Sequence, residues 1–497
     1  MKKLLILSLV ALFANLSFAQ TKYVDRVLAE SEVTVTKNVL YASNYTVLLG
    51  GPPFTLEPLY MDVYAPNDGV TSRPLVIYTH TGSFLPRYIN QTPTGARDDS
   101  ATVAICKDLA RRGYVVASIS YRLGWNPQGA TESIRKNTII NAAYKGVQDI
   151  SAAIRFFKQS ADKGGNPYGI DPSKIVLGGQ GTGGYIVSAF ASLDRQSEIK
   201  IDKFRDPNTG VAYVNDTIWG DRHGLGGYPG FGNESNTGYT TDAQIGFCIG
   251  GALGDSGWLE KGEMPLIWVH SMMDPFAPYT TGMVNVPGTT LQVVEVSGGY
   301  DVMKRVNDFG NNAAYKGKVM DDYTRQANLL NDGLDGLYPI AGLVNASGPY
   351  EWWDTNAIKM LPSPPYNPTV ILASGKATNP FMSKARAMTF VDSICGYIAP
   401  RLAVTLGYVN SVGINPAELS SNVTLSPNPA QDRVVIQSNW TNNNLNGAVV
   451  RDLNGRTLAR LTAENNRIDQ SIDLPTGIYL VELQFDFGTG TKKLIIE

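Results

Sequence analysis

Between residues 59 and 300, short and almost purely apolar runs alternate with helix-like segments, and this pattern limits the fold more than any other feature. Pro74 to His80 and Gly113 to Tyr121 lack the polar face of a strand that meets water. Strands of that kind belong in a parallel sheet covered by helices on both sides. The helices are legible too. Val103, Cys106, Leu109 and Ala110 mark one apolar face, and Val147, Ile150, Ile154 and Phe157 mark another. Leu59 to Tyr64 is an alternating strand ended by Pro66. Ile175 to Leu177, Ile245 to Gly250, Met264 to Val269 and Leu291 to Val296 read as four more strands. The expected class is α/β, with a mostly parallel sheet and helices on both faces.

Two stretches interrupt the pattern, near residues 203–242 (rich in Gly, Asn, Asp and Tyr) and near 303–368 (mixed and aromatic). Such insertions are expected over strand ends, as lids or binding surface. From Leu419 the chain is short of helix formers. Val434 to Ile436, Gly447 to Val450, Ile478 to Val481 and Lys493 to Ile496 read as strands of a small all-β sandwich. At the other end, Lys2 and Lys3 precede an apolar run from Leu4 to Leu16 and the small-residue site Ser17-Phe18-Ala19. This predicts an export signal over 1–19, cut before Gln20. The run is shorter than the ~20 residues of a membrane span, so no transmembrane span is expected in the mature protein. The expected organisation is a signal at 1–19, an α/β unit over 20–412 with the two insertions, and a β unit over 419–497.

The net charge of −2, with no basic run, gives nucleic-acid binding no support. Three histidines without metal-ligand spacing predict no metal, and no cofactor is implied. Cys106, Cys248 and Cys395 are expected as buried free thiols, with at most one disulfide as the alternative.

The C-terminal unit resembles the type A sorting domain of the type IX secretion system. The resemblance is carried by Leu425-Ser426-Pro427-Asn428-Pro429, Asp452-Leu453-Asn454-Gly455-Arg456, Leu474 to Tyr479 and Lys492 to Ile496, in that order. It implies the type IX machinery as a partner, and export to the cell surface or the medium.

Leu59 to Pro66, His80-Thr81-Gly82-Ser83-Phe84, Ser120 to Leu123, Gln148-Asp149, Tyr168 to Pro172 and Gly178 to Gly184 resemble the carboxylesterase/lipase branch of the α/β-hydrolase family. That family turns from strand to helix through Gly-x-Ser-x-Gly, with the serine as nucleophile. Here the turn reads Gly179-Gln180-Gly181-Thr182-Gly183-Gly184, and its paired glycines place Gly181 at the serine position. Positive φ is expected there. Thr182 would supply an oxyanion N–H, or act as a substitute nucleophile. His80, Thr81, Gly82 and Ser83 resemble the oxyanion loop. Asp274, after the Pro265 to His270 strand, matches the acid position, although a turn aspartate bonding its own backbone fits equally well. The histidine should emerge after the Leu291 to Val296 strand, where the chain reads Ser297-Gly298-Gly299-Tyr300-Asp301. Only His80, His223 and His270 exist, and none follows Asp274. His80 and His270 are expected as structural residues, His223 as loop surface, and Gly254-Asp255-Ser256-Gly257 as a loop.

Without serine and histidine, the expectation is a non-catalytic binding protein whose pocket takes a small ester, glycan or peptide. Tyr279, Tyr350, Trp352 and Trp353 are stacking candidates. The alternative is an active secreted esterase using Thr182 or Ser83, with His80 or His223 as base. A structural or adhesive surface role is a third reading.

Overall fold

The computed structural model describes residues 21–50, 54–228, 235–341, 352–413, 416–440, 443–486 and 488–497. The export signal expected at 1–19 lies outside them. The chain enters the fold as a long antiparallel hairpin, β1 (Val33–Val47) and β2 (Phe54–Pro66). In chain order there follow β3 (Arg73–Thr79), β4 (Val115–Ile119), β5 (Ile170–Gln180), β6 (Ile245–Ile249), β7 (Ala252–Leu253) and β8 (Leu266–Ser271). Then come β9 (Gly282–Asn285), β10 (Gln292–Gly298) and β11 (Leu337–Ile340). The first helices are α1 (Arg87–Asn90), α2 (Ser100–Arg111), α3 (Glu132–Lys163), α4 (Thr182–Ser192), α5 (Asp216–Trp219) and α6 (Gly299–Phe309). After them lie α7 (Asp322–Asn328), α8 (Thr355–Lys359), α9 (Pro368–Thr378), α10 (Lys384–Thr405) and α11 (Pro416–Ser421).

The central sheet has eight strands in the order β1-β2-β4-β3-β5-β6-β8-β11, parallel from β4 onward. Every residue of β3, β4, β6 and β8 is buried, as their unbroken apolar runs require. Helices α3, α4 and α6 pack on one face with Leu75, Ile77 and Leu177. Helices α2 and α10 pack on the other with Val76, Val116 and Val176. The fold class is the one expected. Cys106, Cys248 and Cys395 are all free and buried.

Two expectations need correction. The Leu291 to Val296 segment is β10, which pairs antiparallel with β7 and β9 in a small separate sheet. The last parallel strand is instead β11, inside the stretch read as an insertion near 303–368. Its four residues, Leu337-Tyr338-Pro339-Ile340, are too few to show periodicity, and a proline interrupts them.

The C-terminal unit adds β12 (Val423–Ser426), β13 (Arg433–Ser438), β14 (Leu445–Arg451), β15 (Thr457–Thr462), β16 (Arg467–Ser471), β17 (Gly477–Phe485) and β18 (Gly488–Ile496). They form two antiparallel sheets, β12-β13-β16 and β15-β14-β17-β18. Val434, Ile436, Val450, Val481 and Leu494 share their apolar core.

Candidate functional site

Sheet order determines where a crevice can open. β3 and β5 are neighbours, yet the chain leaves β3 toward β4 on one side and β5 toward β6 on the other. Beyond the carboxyl ends of such a strand pair, the connections diverge and leave room for a ligand. The residues expected to matter after these two strands do meet there. Thr81, Gly82, Ser83, Gly181 and Thr182 line one cavity of about 450 Å3.

Gly181 has φ 53° and ψ −116°, and Thr182 starts α4 directly after it. Positive φ at this corner is what the sequence motif predicts. A residue with a side chain held in such a conformation carries a cost of order 1–3 kcal/mol, which glycine escapes. The flanking glycines are needed for a different reason. A Cβ on Gly179 would stand 2.2 Å from the Gly183 carbonyl oxygen, and one on Gly183 would stand 2.2 Å from that of Thr79. Strand and helix approach too closely for any side chain.

The neighbouring loop is strained as well. Ser83 and Phe84 have φ of 56° and 53°, the left-handed region that side-chain-bearing residues avoid. Trp125 Nε1 donates to the Ser83 carbonyl at 2.7 Å, and the Gly124 N–H donates to that of Phe84 at 2.8 Å. These bonds hold the loop against its strain. Behind it, Arg122 and Asp149, two residues quoted for the family resemblance, form a fully buried ion pair at 2.9 Å. That pair ties the chain after β4 to α3.

Thr182 Oγ1 lies 2.9 Å from the Tyr121 hydroxyl, whose single proton goes to the His80 carbonyl at 2.8 Å. The Thr182 hydroxyl is therefore the donor in its pair with Tyr121. Burial pushes the Tyr121 phenol up, so it stays protonated and cannot serve as a base.

No imidazole forms a hydrogen bond with Thr182 or Ser83 among the described residues. The His80 ring stacks on Tyr121 at 4.7 Å and donates from Nδ1 to the Thr81 carbonyl at 2.5 Å. Burial pushes it down to about 4, leaving it neutral. His223 sits in another crevice, bonded to Thr241 at 2.7 Å and accepting from Arg222 at 3.2 Å. His270 donates from Nε2 to the Ala277 carbonyl at 3.2 Å and accepts the Gly299 N–H at 3.3 Å. Both its nitrogens are used.

Asp274 Oδ1 accepts the N–H groups of Phe276 and Ala277 at 2.8 and 3.0 Å, the backbone-bonding turn weighed for it from sequence. Its Oδ2 is buried with no hydrogen-bond partner, 3.6 Å from His270 Nε2. Because β11, not β10, is the parallel strand next to β8, the loop in which the resemblance would place a histidine is the one after β11. Residues 342–351 there lie outside the described residues, and none is a histidine.

The rest of the cavity wall is mainly apolar, with Asn90, Thr92, Thr94, Asn285, Ser374 and Thr378 as polar members. The amino-terminal half of α3 contributes Ile139, Ile140, Ala143 and Val147, while the β9–β10 hairpin contributes Val284, Val294 and Val296. Phe204 and Val214 reach it from the first insertion, and Trp125, Tyr185 and Trp258 join Phe84, Tyr144 and Phe276 in the aromatic lining. The aromatic residues singled out from sequence are elsewhere. Trp352 packs with Ile358 and Ile371, Trp353 packs on the α10 side of the sheet, and Tyr279 packs on His270 and Tyr300. Tyr350 lies outside the described residues. Aromatic residues clustered in sequence filled a core here, whereas the lining is gathered from segments far apart in the chain. The Ile139–Ile140–Ala143–Val147 spacing was visible, but a cavity wall and a core face share that pattern.

The BD-FAE family model matches residues 61–218, and the model of the secretion system C-terminal sorting domain matches residues 424–497. This chain joins an α/β-hydrolase-like domain to a type IX sorting domain. The hydrolase-like domain is 30% identical over 143 residues to the phenmedipham hydrolase of Pseudarthrobacter oxydans, covering 29% of this chain and 24% of that protein. The match thus spans about a quarter of that curated relative's length. Thermogutta terrifontis esterase 2 phosphorylated by paraoxon aligns at 14% identity and TM-score 0.30, over 63% of this chain and 83% of that one. Its butyrate-bound form aligns at 15% and 0.31, over 57% and 79%. The sorting domain assigns the protein to the cell surface or the medium through the type IX machinery. Among the described residues, no helix is long and apolar enough to cross a membrane.

Proposed function

We propose that this protein is a non-catalytic α/β-hydrolase-fold binding protein, exported by an amino-terminal signal over 1–19 and delivered by its sorting domain. In this reading residues 20–412 form the ligand-binding unit and residues 419–497 the address. The carrying observation is Gly181, with the backbone angles of a nucleophile-bearing corner and no side chain to attack with. Three further features support it. Thr182 is hydrogen-bonded to a tyrosine instead of an imidazole, His270 has both nitrogens engaged, and no histidine follows Asp274. Asp274 is then a vestigial acid, and Thr81, Gly82, Ser83 and Thr182 form the polar end of a binding crevice.

The test is an assay of the mature protein on short-chain aryl esters, with fluorophosphonate labelling and peptide mapping. The expected result is background turnover and no labelled peptide. Turnover or labelling that disappears in Thr182→Ala or Ser83→Ala would establish the esterase reading instead.

A further inference from the structure

We propose that the outer face of the α8–α9–α10 region is a docking surface for a lipid bilayer carrying anionic headgroups. This goes beyond the binding role of the crevice and does not depend on whether the protein is catalytic.

The charge pattern of this stretch departs from that of the whole chain. Asp and Glu supply 44 of the 497 residues. Residues 355–391 contain neither, yet hold Lys359, Lys376, Lys384 and Arg386. The three lysines are exposed and form no ion pair among the described residues. The nearby carboxylates are already engaged. Asp354 caps α8, Asp392 pairs with Arg26, and Glu30, which feels the charge of Lys384, pairs with Lys107. Lys384 opens α10, whose first turn holds no acidic residue. A cation there opposes the helix dipole, so helix stability does not account for its place.

Apolar side chains of the same stretch face solvent. Met360, which ends α8, is 84% exposed, and Phe381, between α9 and α10, is 77% exposed. On α9, Thr369, Val370, Ala373, Lys376 and Ala377 are exposed at the spacing of one helix face, with Ile371 and Gly375 buried beneath. Trp352 packs so closely under Gly375 that a Cβ there would stand 2.2 Å from its Nε1. That contact fixes which side of α9 faces out.

An anionic bilayer matches both halves of this pattern. The lysines meet the headgroups, while their stems and the neighbouring apolar side chains enter the interface. A second copy of the chain matches it poorly, because a two-fold contact would set these lysines against their own counterparts. A rigid protein partner would need a pocket for each protruding side chain, which a fluid interface does not. The sorting domain delivers the protein to the cell surface or the medium, within reach of such a surface.

The experiment mixes the mature full-length protein with two kinds of vesicle and measures co-sedimentation at low and high salt. One kind is phosphatidylcholine alone, and the other is one-third phosphatidylglycerol. The expected result is saturable binding to the anionic vesicles, weakened by salt and roughly tenfold or more weaker on phosphatidylcholine. Lys359→Glu, Lys376→Glu and Phe381→Ser should each lower affinity for the anionic vesicles roughly tenfold. All three positions are exposed, and an unchanged melting temperature shows that each variant is folded. The place of contact is read separately. Cys106, Cys248 and Cys395 are buried, so an NBD label goes selectively to Phe381→Cys, or to Leu453→Cys on the sorting domain. Anionic vesicles should raise NBD emission at the first position and not at the second. Absent binding, equal binding to both vesicles, affinity that survives all three substitutions, or a rise only at position 453 overturns the assignment. So does a dimer in sedimentation velocity that Phe381→Ser dissolves, which would give this face to a second copy. Aryl-ester turnover has no bearing on these readouts, so this assignment and the non-catalytic reading fail separately.

Discussion

At Gly181 the backbone already holds φ 53° and ψ −116°, so a serine restored there would inherit the strain without a base to use it. Gly181→Ser is expected to lower stability by about 1–3 kcal/mol, measured by urea unfolding, and to leave aryl-ester turnover at background. Turnover in that variant would mean that a base stands within reach of the corner. His80 offers a second residue-scale check. Burial moves its imidazole from 6.5 down to about 4. The unfolded chain therefore takes up the proton first as pH falls. The stability tied to keeping His80 neutral is whole above about 6.5 and is lost toward about 4, on the order of 3 kcal/mol. Asp99 and Glu57 are pushed up by burial to about 6 and about 7, so their contributions run the other way and fade as pH rises. The useful measurement is thus the stability gap between parent and His80→Asn. It should narrow as pH falls through this window, and a constant gap would refute the buried neutral state.

At the scale of elements, the longer buried strands of the central sheet were the legible ones, whereas four-residue β11 was missed although it is wholly buried. β3, β4 and β6 are wholly buried and stood out as apolar runs. In the sorting domain, β13, β14, β17 and β18 were anticipated, whereas β12, β15 and β16 were not. All three missed strands lie at sheet edges, where polar sequences such as Arg467-Ile468-Asp469-Gln470-Ser471 meet water and lose the apolar pattern. The α8–α9 cap has a small apolar cluster of its own around Trp352, and Gln91 bonds it to the loop after α1 through the Pro365 carbonyl and the Asn367 N–H at 3.1 and 2.9 Å. Trp352→Ala removes most of that cluster, a loss of about 3–5 kcal/mol by analogy with other buried tryptophans. Hydrogen exchange should then accelerate in residues 355–378 while β3 and β5 keep their protection. Uniform loss of protection would show that the cap is integral to the central core.

Across the whole molecule, the sorting domain has an apolar core that shares no residue with the two cores flanking the central sheet. Leu419 on α11 is fully buried in it, and Ser420 Oγ on the same helix accepts the Thr491 N–H at 2.7 Å. Leu419→Ala should cost about 2–5 kcal/mol, appearing in calorimetry as a lowered transition for the sorting domain beside an unchanged transition for the hydrolase-like domain. A joint shift of both transitions would indicate one cooperative unit.

The sequence by itself determined the α/β class, the sorting address, the glycine at 181 and the lack of any histidine after Asp274. Those properties rest on local periodicity, on motif spacing or on the plain presence of a residue. Tertiary structure alone decided that β11 rather than β10 completes the parallel sheet, because strand pairing joins backbone groups far apart in the chain. It alone decided that Asp274 leaves one oxygen buried without a hydrogen bond, and that Ile140, Phe204 and Trp258 rather than Trp352 and Trp353 face the cavity. A helix or loop presents the same apolar pattern to a core and to an empty space. Which of the two it borders depends on how far the opposite wall stands, and that distance is set only when the whole chain has packed.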